Sequence, residues 1–187
     1  MSNPQQQEIE KYKQVYQHEN YRMGDARRLY AEQNVRSATD CCDTYLDVGC
    51  GRGEMVRFAE NLGYHAIGLE AVDYLTSKDK VFEGLAWDMP FKDNSFDLVT
   101  MFDVIEHLLP EDTERTLAEL RRVAGKQLFI TAANYSSKSL GVELHVNRRS
   151  YEEWDKILRK AFEGDHVEWL PRKHGINSET WHILLSE

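Results

Sequence analysis

The sequence predicts an α/β protein built on a mostly parallel sheet. Two observations carry this. Between Thr44 and Ala133, short apolar runs alternate with segments of helical period, the order expected when helices cover both faces of a parallel sheet. The stretch "LDVGCGRGEMV", residues 46–56, ends one such run in an acid, three alternate glycines and a helical pattern, which reads as strand, tight turn, helix.

The elements follow in order. "QQQEIEKYKQVYQHE" places Ile9, Tyr12, Val15 and Tyr16 at helical spacing, so an amphipathic N-terminal helix is expected, stopped at Gly24. "DARRLYAEQNVRSA" is a second helix with Asp25 as N-cap. Strands are expected at "TYLDVG", "HAIGLE", "VFEGLA", "SFDLVTMF" and "KQLFITAA". Helices are expected at "GEMVRFAENLG", ended by Gly63, at the short "AVDYLTSK", and at "LPEDTERTLAELRRVA" with Pro110 near its start. "NYSSKSLGVELHVNRR" reads as a long irregular loop. "SYEEWDKILRKAF" is a helix with Ser150 as N-cap and Glu153 in the capping-box position. "DHVEWLP" and "ETWHILLS" close the chain as strands joined by a short turn, which implies an antiparallel strand near the C-terminus. Together these give a doubly wound, Rossmann-like, mostly parallel seven-stranded sheet with an N-terminal helical extension. Residues 1–40 are expected to form a helical cap and 41–187 the main domain, in one compact unit.

Composition bounds the function. The chain has 187 residues and a formal charge of −9, which disfavours a broad basic face for nucleic acid. The late candidates for a local basic patch are Arg148 and Arg149, with Arg172 and Lys173. No stretch approaches the roughly 18 apolar residues of a membrane span, and the N-terminus lacks an apolar signal core, so a cytoplasmic location is expected. Cys41, Cys42 and Cys50 lack CxxC spacing, so neither a disulfide framework nor a zinc site is expected. Cys50 sits in the glycine turn, where packing suits it better than nucleophilic chemistry.

The turn narrows the ligand. Gly49, Gly51 and Gly53 form G-x-G-x-G, whereas the dinucleotide fingerprint needs its third glycine at the position of Glu54. A carboxylate there repels phosphate, and Asp47 adds a second acid. Acids suit a cofactor with positive charge and amino hydrogens, as S-adenosylmethionine has. Glu70, at the second strand's tip, has two acceptor oxygens for ribose hydroxyls. That feature serves NAD and S-adenosylmethionine equally.

"LDVGCGRGEMVRFAENLG", "GLE", "MPFKDNSFDLV" and "VIEHL" resemble the class I S-adenosylmethionine-dependent methyltransferases, in particular the small-molecule type with an "LPF…FD-V…EH" pattern. The resemblance covers roughly residues 43–132. It implies that Asp47 and the backbone of Gly49, Cys50 and Gly51 lie along the methionine part. It places Glu70 on the ribose, Ala71 and Ala86 beside the adenine, and Trp87 over the ring. The acid that the family often sets against the adenine amino group is replaced by Leu85, which leaves its place to Asp88, to water or to nothing. Phe102 and Asp103 fall nearest the transferred methyl. His107 follows, where a histidine is more often structural than a base.

No large-nucleic-acid signature is present: the place of the amino-methylating motif reads "FDVIEH", and no Pro-Cys nucleophile occurs. A small-molecule acceptor is therefore expected, on a monomer or homodimer, with no metal. Behind it stand a nucleotide, RNA or protein acceptor, and a cofactor-binding regulatory subunit without catalysis. Tyr21, Arg22 and Met23 in "NYRMGD", and Tyr135, His145, Asn147 and Arg148 in the late loop, are the candidates for the acceptor side. His145 is the first candidate base.

Overall fold

A computed structural model describes residues 3–18, 21–38, 42–77, 79–170 and 175–186. Cys41, Arg172, Lys173 and the expected 40/41 boundary lie outside these residues. Two helices open the chain, α1 (Pro4–Tyr16) and α2 (Asp25–Ser37). Asn3 caps α1, its side chain accepting from the Gln5 N–H, with Pro4 in the first turn. The expected stop at Gly24 is not used, because α1 ends at Tyr16. Gly24 is instead the extended N-cap of α2, which leaves Asp25 inside the first turn, where its charge suits the helix dipole.

The central run is β1 (Thr44–Val48), α3 (Glu54–Asn61), β2 (His65–Glu70), β3 (Val81–Glu83) and β4 (Phe96–Met101). It continues with α4 (Thr113–Val123), β5 (Ala124–Ala133), β6 (Lys138–Ser139) and β7 (Val142–Glu143). The chain closes with α5 (Tyr151–Ala161), β8 (His166–Leu170) and β9 (Ser178–Leu184). Three local expectations change. "AVDYLTSK" makes only a single 3₁₀ turn at Asp73–Leu75. The third strand stops at Glu83, and Leu85 makes an isolated bridge with Asp88. The late loop is not wholly irregular: β6 and β7 pair as a small antiparallel hairpin around Leu140 and Gly141, both at positive φ. The capping box at Ser150 and Glu153 forms as expected.

The seven-stranded sheet runs β3-β2-β1-β4-β5-β9-β8. All pairs are parallel except those of β9, which runs antiparallel to β5 and β8. Side chains alternate between the faces, as strand geometry requires. Leu46, Val48, Val99, Met101, Leu128 and Ile130 join Leu117, Leu120, Trp154 and Leu158 of α4 and α5. Tyr45, Leu98 and Phe129 point the other way, to Val35 of α2 and Met55, Val56 and Ala59 of α3. The chain leaves β1 toward β2 and β3, then returns to add β4 on the other side. That reversal opens a crevice at the carboxyl ends of β1 and β4, where open α/β sheets take ligands.

Packing of α3 on the sheet depends on Gly68. A Cβ there would lie 2.4 Å from Cys50 Sγ and 3.0 Å from Val56 Cγ2. Gly68→Ala should therefore lower stability by about 1–3 kcal/mol through overpacking. Adding Cys50→Ala removes the Sγ contact but keeps the Cys50 Cβ, 2.9 Å away, so it should restore only part of that loss, and urea unfolding of both variants measures it. Equal stability of Gly68→Ala and the unaltered chain would contradict this packing.

Candidate active site

The glycine turn carries the β1 end into α3. Gly49, Gly51 and Gly53 have φ of 71°, 53° and 71°, a left-handed region that strongly favours glycine. Space is also short. A Cβ at Gly49 would meet Val104 at 2.6 Å, and one at Gly51 would meet the Tyr16 hydroxyl at 2.7 Å. The turn is tied to the sheet by Gly49 and Cys50, whose N–H groups donate to the Leu69 carbonyl at 2.8 and 3.1 Å.

Two buried carboxylates flank it. Glu70 accepts from the Gly51 N–H at 2.7 Å and the Val72 N–H at 3.0 Å. Burial raises its pKa, and these backbone donors oppose the rise. Asp47 lies between Gly68 and Thr100 in the sheet register. It accepts from the Thr100 hydroxyl at 2.8 Å, and Thr100 is bonded in turn to the Tyr45 hydroxyl at 2.6 Å. Burial pushes Asp47 up to about 7; the Thr100 bond lowers it and the nearby Glu70 charge raises it further. The Cys50 thiol is held protonated by burial and by Asp47 and Glu70, in line with a packing role. Such a pair favours a cationic ligand, which would stabilise both ionised forms.

Two connected cavities extend from this point. The first is lined by Glu70, Ala71, Ala86 and Trp87, with Gln5, Ile9, Tyr12 and Tyr16 of α1 along one wall. These four α1 residues recur at i, i+4, i+7 and i+11, so one helix face covers the cavity. Asp88 is exposed and lines neither cavity. Besides Glu70 and Asp103, the acids lining this cavity among the described residues are Glu8, which pairs with Lys11, and Asp112. Asp112 is 1 % exposed; Oδ1 accepts from Gln5 Nε2 at 2.8 Å, and Oδ2 has no hydrogen-bond partner among the described residues.

The second cavity is lined by Asp47, Cys50, Gly51, Phe102 and Asp103 from the sheet side. Tyr21, Arg22, Met23 and Arg27 face them, with Tyr135 and His145 of the late loop. Tyr16, Tyr21, Gly49, Asp103 and His107 border both cavities. Asp103 is held at φ 53°, uncommon for a non-glycine residue. Thr131 and Ser178 hydroxyls donate to its Oδ1 at 3.1 and 2.8 Å, and Arg27 donates to Oδ2 at 3.2 Å. Arg27 also reaches the Tyr135 hydroxyl. Asp103 is thus an anchor for Arg27 with both oxygens engaged.

Both histidines are neutral groups of this region. Burial draws His107 down to about 4, His145 beside it adds to the fall, and the Leu144 carbonyl opposes it. Burial also lowers His145, against the raising effect of Asp103 and Glu143. His107 Nδ1 meets the Tyr12 hydroxyl and lies 3.1 Å from the Leu144 carbonyl. His145 Nδ1 lies 2.8 Å from the Tyr135 carbonyl.

Arg148 is exposed and lines neither cavity. Asn147 is buried, donating to the Thr113 hydroxyl at 2.9 Å and to the Ile105 carbonyl at 3.4 Å; it ties the late loop to α4. Sequence reasoning missed Arg27, Asp112 and Gln5. Gln5 carried only helical periodicity, Arg27 only a place in a helix, and Asp112 only a position after Pro110. None of these signals points to a cavity.

Residues 46–129 match the family model described as "Methyltransferase domain". Norajmaline N-methyltransferase of Rauvolfia serpentina is 31% identical over 149 residues, covering 67% of this chain and 49% of that protein. The chain thus spans about half the length of that curated relative. A protein of Pyrococcus horikoshii OT3 superposes with TM-score 0.69 at 16% identity, covering 87% of this chain and 90% of that one. Burkholderia thailandensis 1,6-didemethyltoxoflavin-N1-methyltransferase, solved with 1,6-didemethyltoxoflavin and S-adenosylhomocysteine, superposes with TM-score 0.68 at 15% identity. It covers 100% of this chain and 92% of that one. With the sheet order and the glycine turn, the stretch of residues 46–129 is a methyltransferase domain of the class I S-adenosylmethionine-dependent kind.

Proposed function

We propose that this protein transfers the methyl group of S-adenosylmethionine to a small-molecule acceptor. The observation that carries this reading is the junction of the two cavities at Gly49 and Asp103, beside buried acids. The cofactor's adenosine lies in the first cavity, its ribose on Glu70 and its ring against Ala71, Ala86 and Trp87. Its sulfonium and amino group face Asp47 and the turn, and Phe102 closes the methyl end. Asp112 replaces the acid absent at Leu85 and accepts from the adenine amino group. The helices of residues 1–40 form the cap, with Tyr16 and Tyr21 excluding water where the methyl passes.

The acceptor enters the second cavity, walled by Tyr21, Arg22, Met23, Arg27 and Tyr135. Methyl transfer asks mainly for alignment of acceptor, methyl and sulfur with water excluded, because the sulfonium is already an activated leaving group. Small-molecule substrates in the names of norajmaline N-methyltransferase and the toxoflavin-precursor enzyme support a small acceptor.

Four measurements test the reading. Isothermal titration should detect S-adenosylhomocysteine binding and no NAD binding; the reverse would sink the proposal. Glu70→Ala should weaken S-adenosylhomocysteine binding about tenfold to a hundredfold, the loss of charge-assisted hydrogen bonds, and unchanged affinity would displace the ribose from Glu70. Replacing the adenine amino group, as in S-inosylhomocysteine, should cost the unaltered protein about tenfold or more. Asp112→Ala should erase that preference. The pH dependence follows from Asp47, faced by Tyr45, Cys50, Glu70 and Thr100. A cationic ligand binds the ionised carboxylate, so below pH about 7 binding must expel a proton. S-adenosylmethionine affinity should fall by up to about tenfold per pH unit below that value. Titration in buffers of differing ionisation enthalpy should show proton release at pH 6 and none at pH 8.5.

A further inference from the structure

The sequence offers no metal-ligand spacing, yet the fold gathers three ligand side chains at the floor of the second cavity. One carboxylate oxygen of Glu106 and one ring nitrogen each of His107 and His145 lie within 4.8 Å of one another. Ligand atoms around one cation, at bonds of about 2.0–2.2 Å, stand roughly 3–4 Å apart. The cluster is near that span.

Glu106 supplies the second, independent observation. It is 0 % exposed; Oε1 accepts from the Ala133 N–H at 3.1 Å, and Oε2 is buried with no hydrogen-bond partner among the described residues. A buried carboxylate oxygen without a donor is costly. Asp103 does not offset it, being acidic and already bonded to Arg27, Thr131 and Ser178. The Nδ1 contacts of both histidines set the tautomer that a metal ligand needs. A carbonyl can only accept, so Nδ1 carries its hydrogen in His107, toward the Leu144 carbonyl, and in His145, toward the Tyr135 carbonyl, while the Tyr12 hydroxyl donates to the Leu144 carbonyl at 3.2 Å and accepts from His107. Both rings therefore keep an unprotonated Nε2. A backbone carbonyl on the far nitrogen is the usual outer support of a metal-bound histidine. The Asn147 N–H also donates to the Glu106 carbonyl at 3.0 Å, which joins the loop bearing His145 to the segment bearing Glu106 and His107.

We propose that Glu106, His107 and His145 bind one divalent transition-metal cation whose open positions face the second cavity and take an oxygen donor. Two imidazoles and one carboxylate suit Zn²⁺, Co²⁺, Mn²⁺ or Fe²⁺ rather than Mg²⁺ or Ca²⁺. His107 and His145 both line that cavity, whereas Glu106 lies behind them. Where the cavity receives the methyl acceptor, a point that rests on the proposed function, the ligand class is a hydroxyl-bearing molecule, with water in its absence.

Chelator-stripped full-length protein titrated with Co²⁺ tests this directly. One equivalent should bind and give the d–d absorption of a mixed nitrogen and oxygen site. Glu106→Gln and His145→Ala should each weaken binding at least about tenfold. Adding acetohydroxamate, a small oxygen chelator, should shift the bands. Absent stoichiometric binding, or binding unchanged in both variants, overturns the metal site, and bands indifferent to acetohydroxamate overturn the open positions. Should Glu106→Gln fail to fold, His145→Ala in the loop and the spectrum of the unaltered protein still decide. S-adenosylhomocysteine titration of the same samples reports the cofactor cleft separately. Cofactor binding without metal binding ends this inference alone, and metal binding without cofactor binding ends the methyltransferase reading alone.

Discussion

The carboxylate of Glu70 holds the centre of this protein together. It bridges the Gly51 and Val72 N–H groups, 2.7 and 3.0 Å away, and so joins the glycine turn to the segment after the second strand. A buried carboxylate is tolerated only with such donors. The donors are available only because the turn runs through left-handed backbone that glycine adopts readily. Gly51 extends the dependence outward. The space a side chain would need there is taken by the Tyr16 hydroxyl, so the first helix sits against the turn itself. One acid, one glycine and one tyrosine thus connect sheet, turn and cap.

The same economy places charge. Asp47 and Glu70 end adjacent parallel strands and are buried beside each other, each bonded only to neutral donors. When ionised they put negative potential into the crevice, and a positively charged sulfur and amino group would stabilise that ionised state where a pyrophosphate would oppose it. Further along, Asp103 engages Arg27, and the neutral His107 and His145 lie edge to face at 4.7 Å. Polarity therefore changes along the crevice, from acids at the turn to imidazoles and an ion pair at the open end.

Much of this was legible in the chain. Period and punctuation gave the strands of the sheet, the antiparallel final strand and the capped fifth helix. The register of Gly49, Gly51 and Gly53 against Glu54 separated the cofactor class from a dinucleotide. Residues close in sequence to strand ends, such as Asp47, Glu70 and Phe102, line the crevice. The errors came where a local signal had two meanings. Gly24 suits the end of one helix and the start of the next, and only the packing of the first helix decides. Arg148 looked like a cavity residue from its loop, but the hairpin at Lys138–Glu143 and the anchoring of Asn147 on Thr113 turn it to solvent.

What the sequence by itself determined is the sheet, its crevice and the acids beside the glycine turn. These depend on local periodicity and on backbone angles that few residues adopt, and such constraints act over a handful of positions. The tertiary structure alone decided which distant side chains meet there. Gln5 reaches Asp112, Arg27 reaches Asp103 and Tyr135, and His145 reaches His107. Each pair is separated by dozens of residues and is brought together by the hydrophobic packing of helices on two faces of one sheet, a cooperative property that no single segment carries.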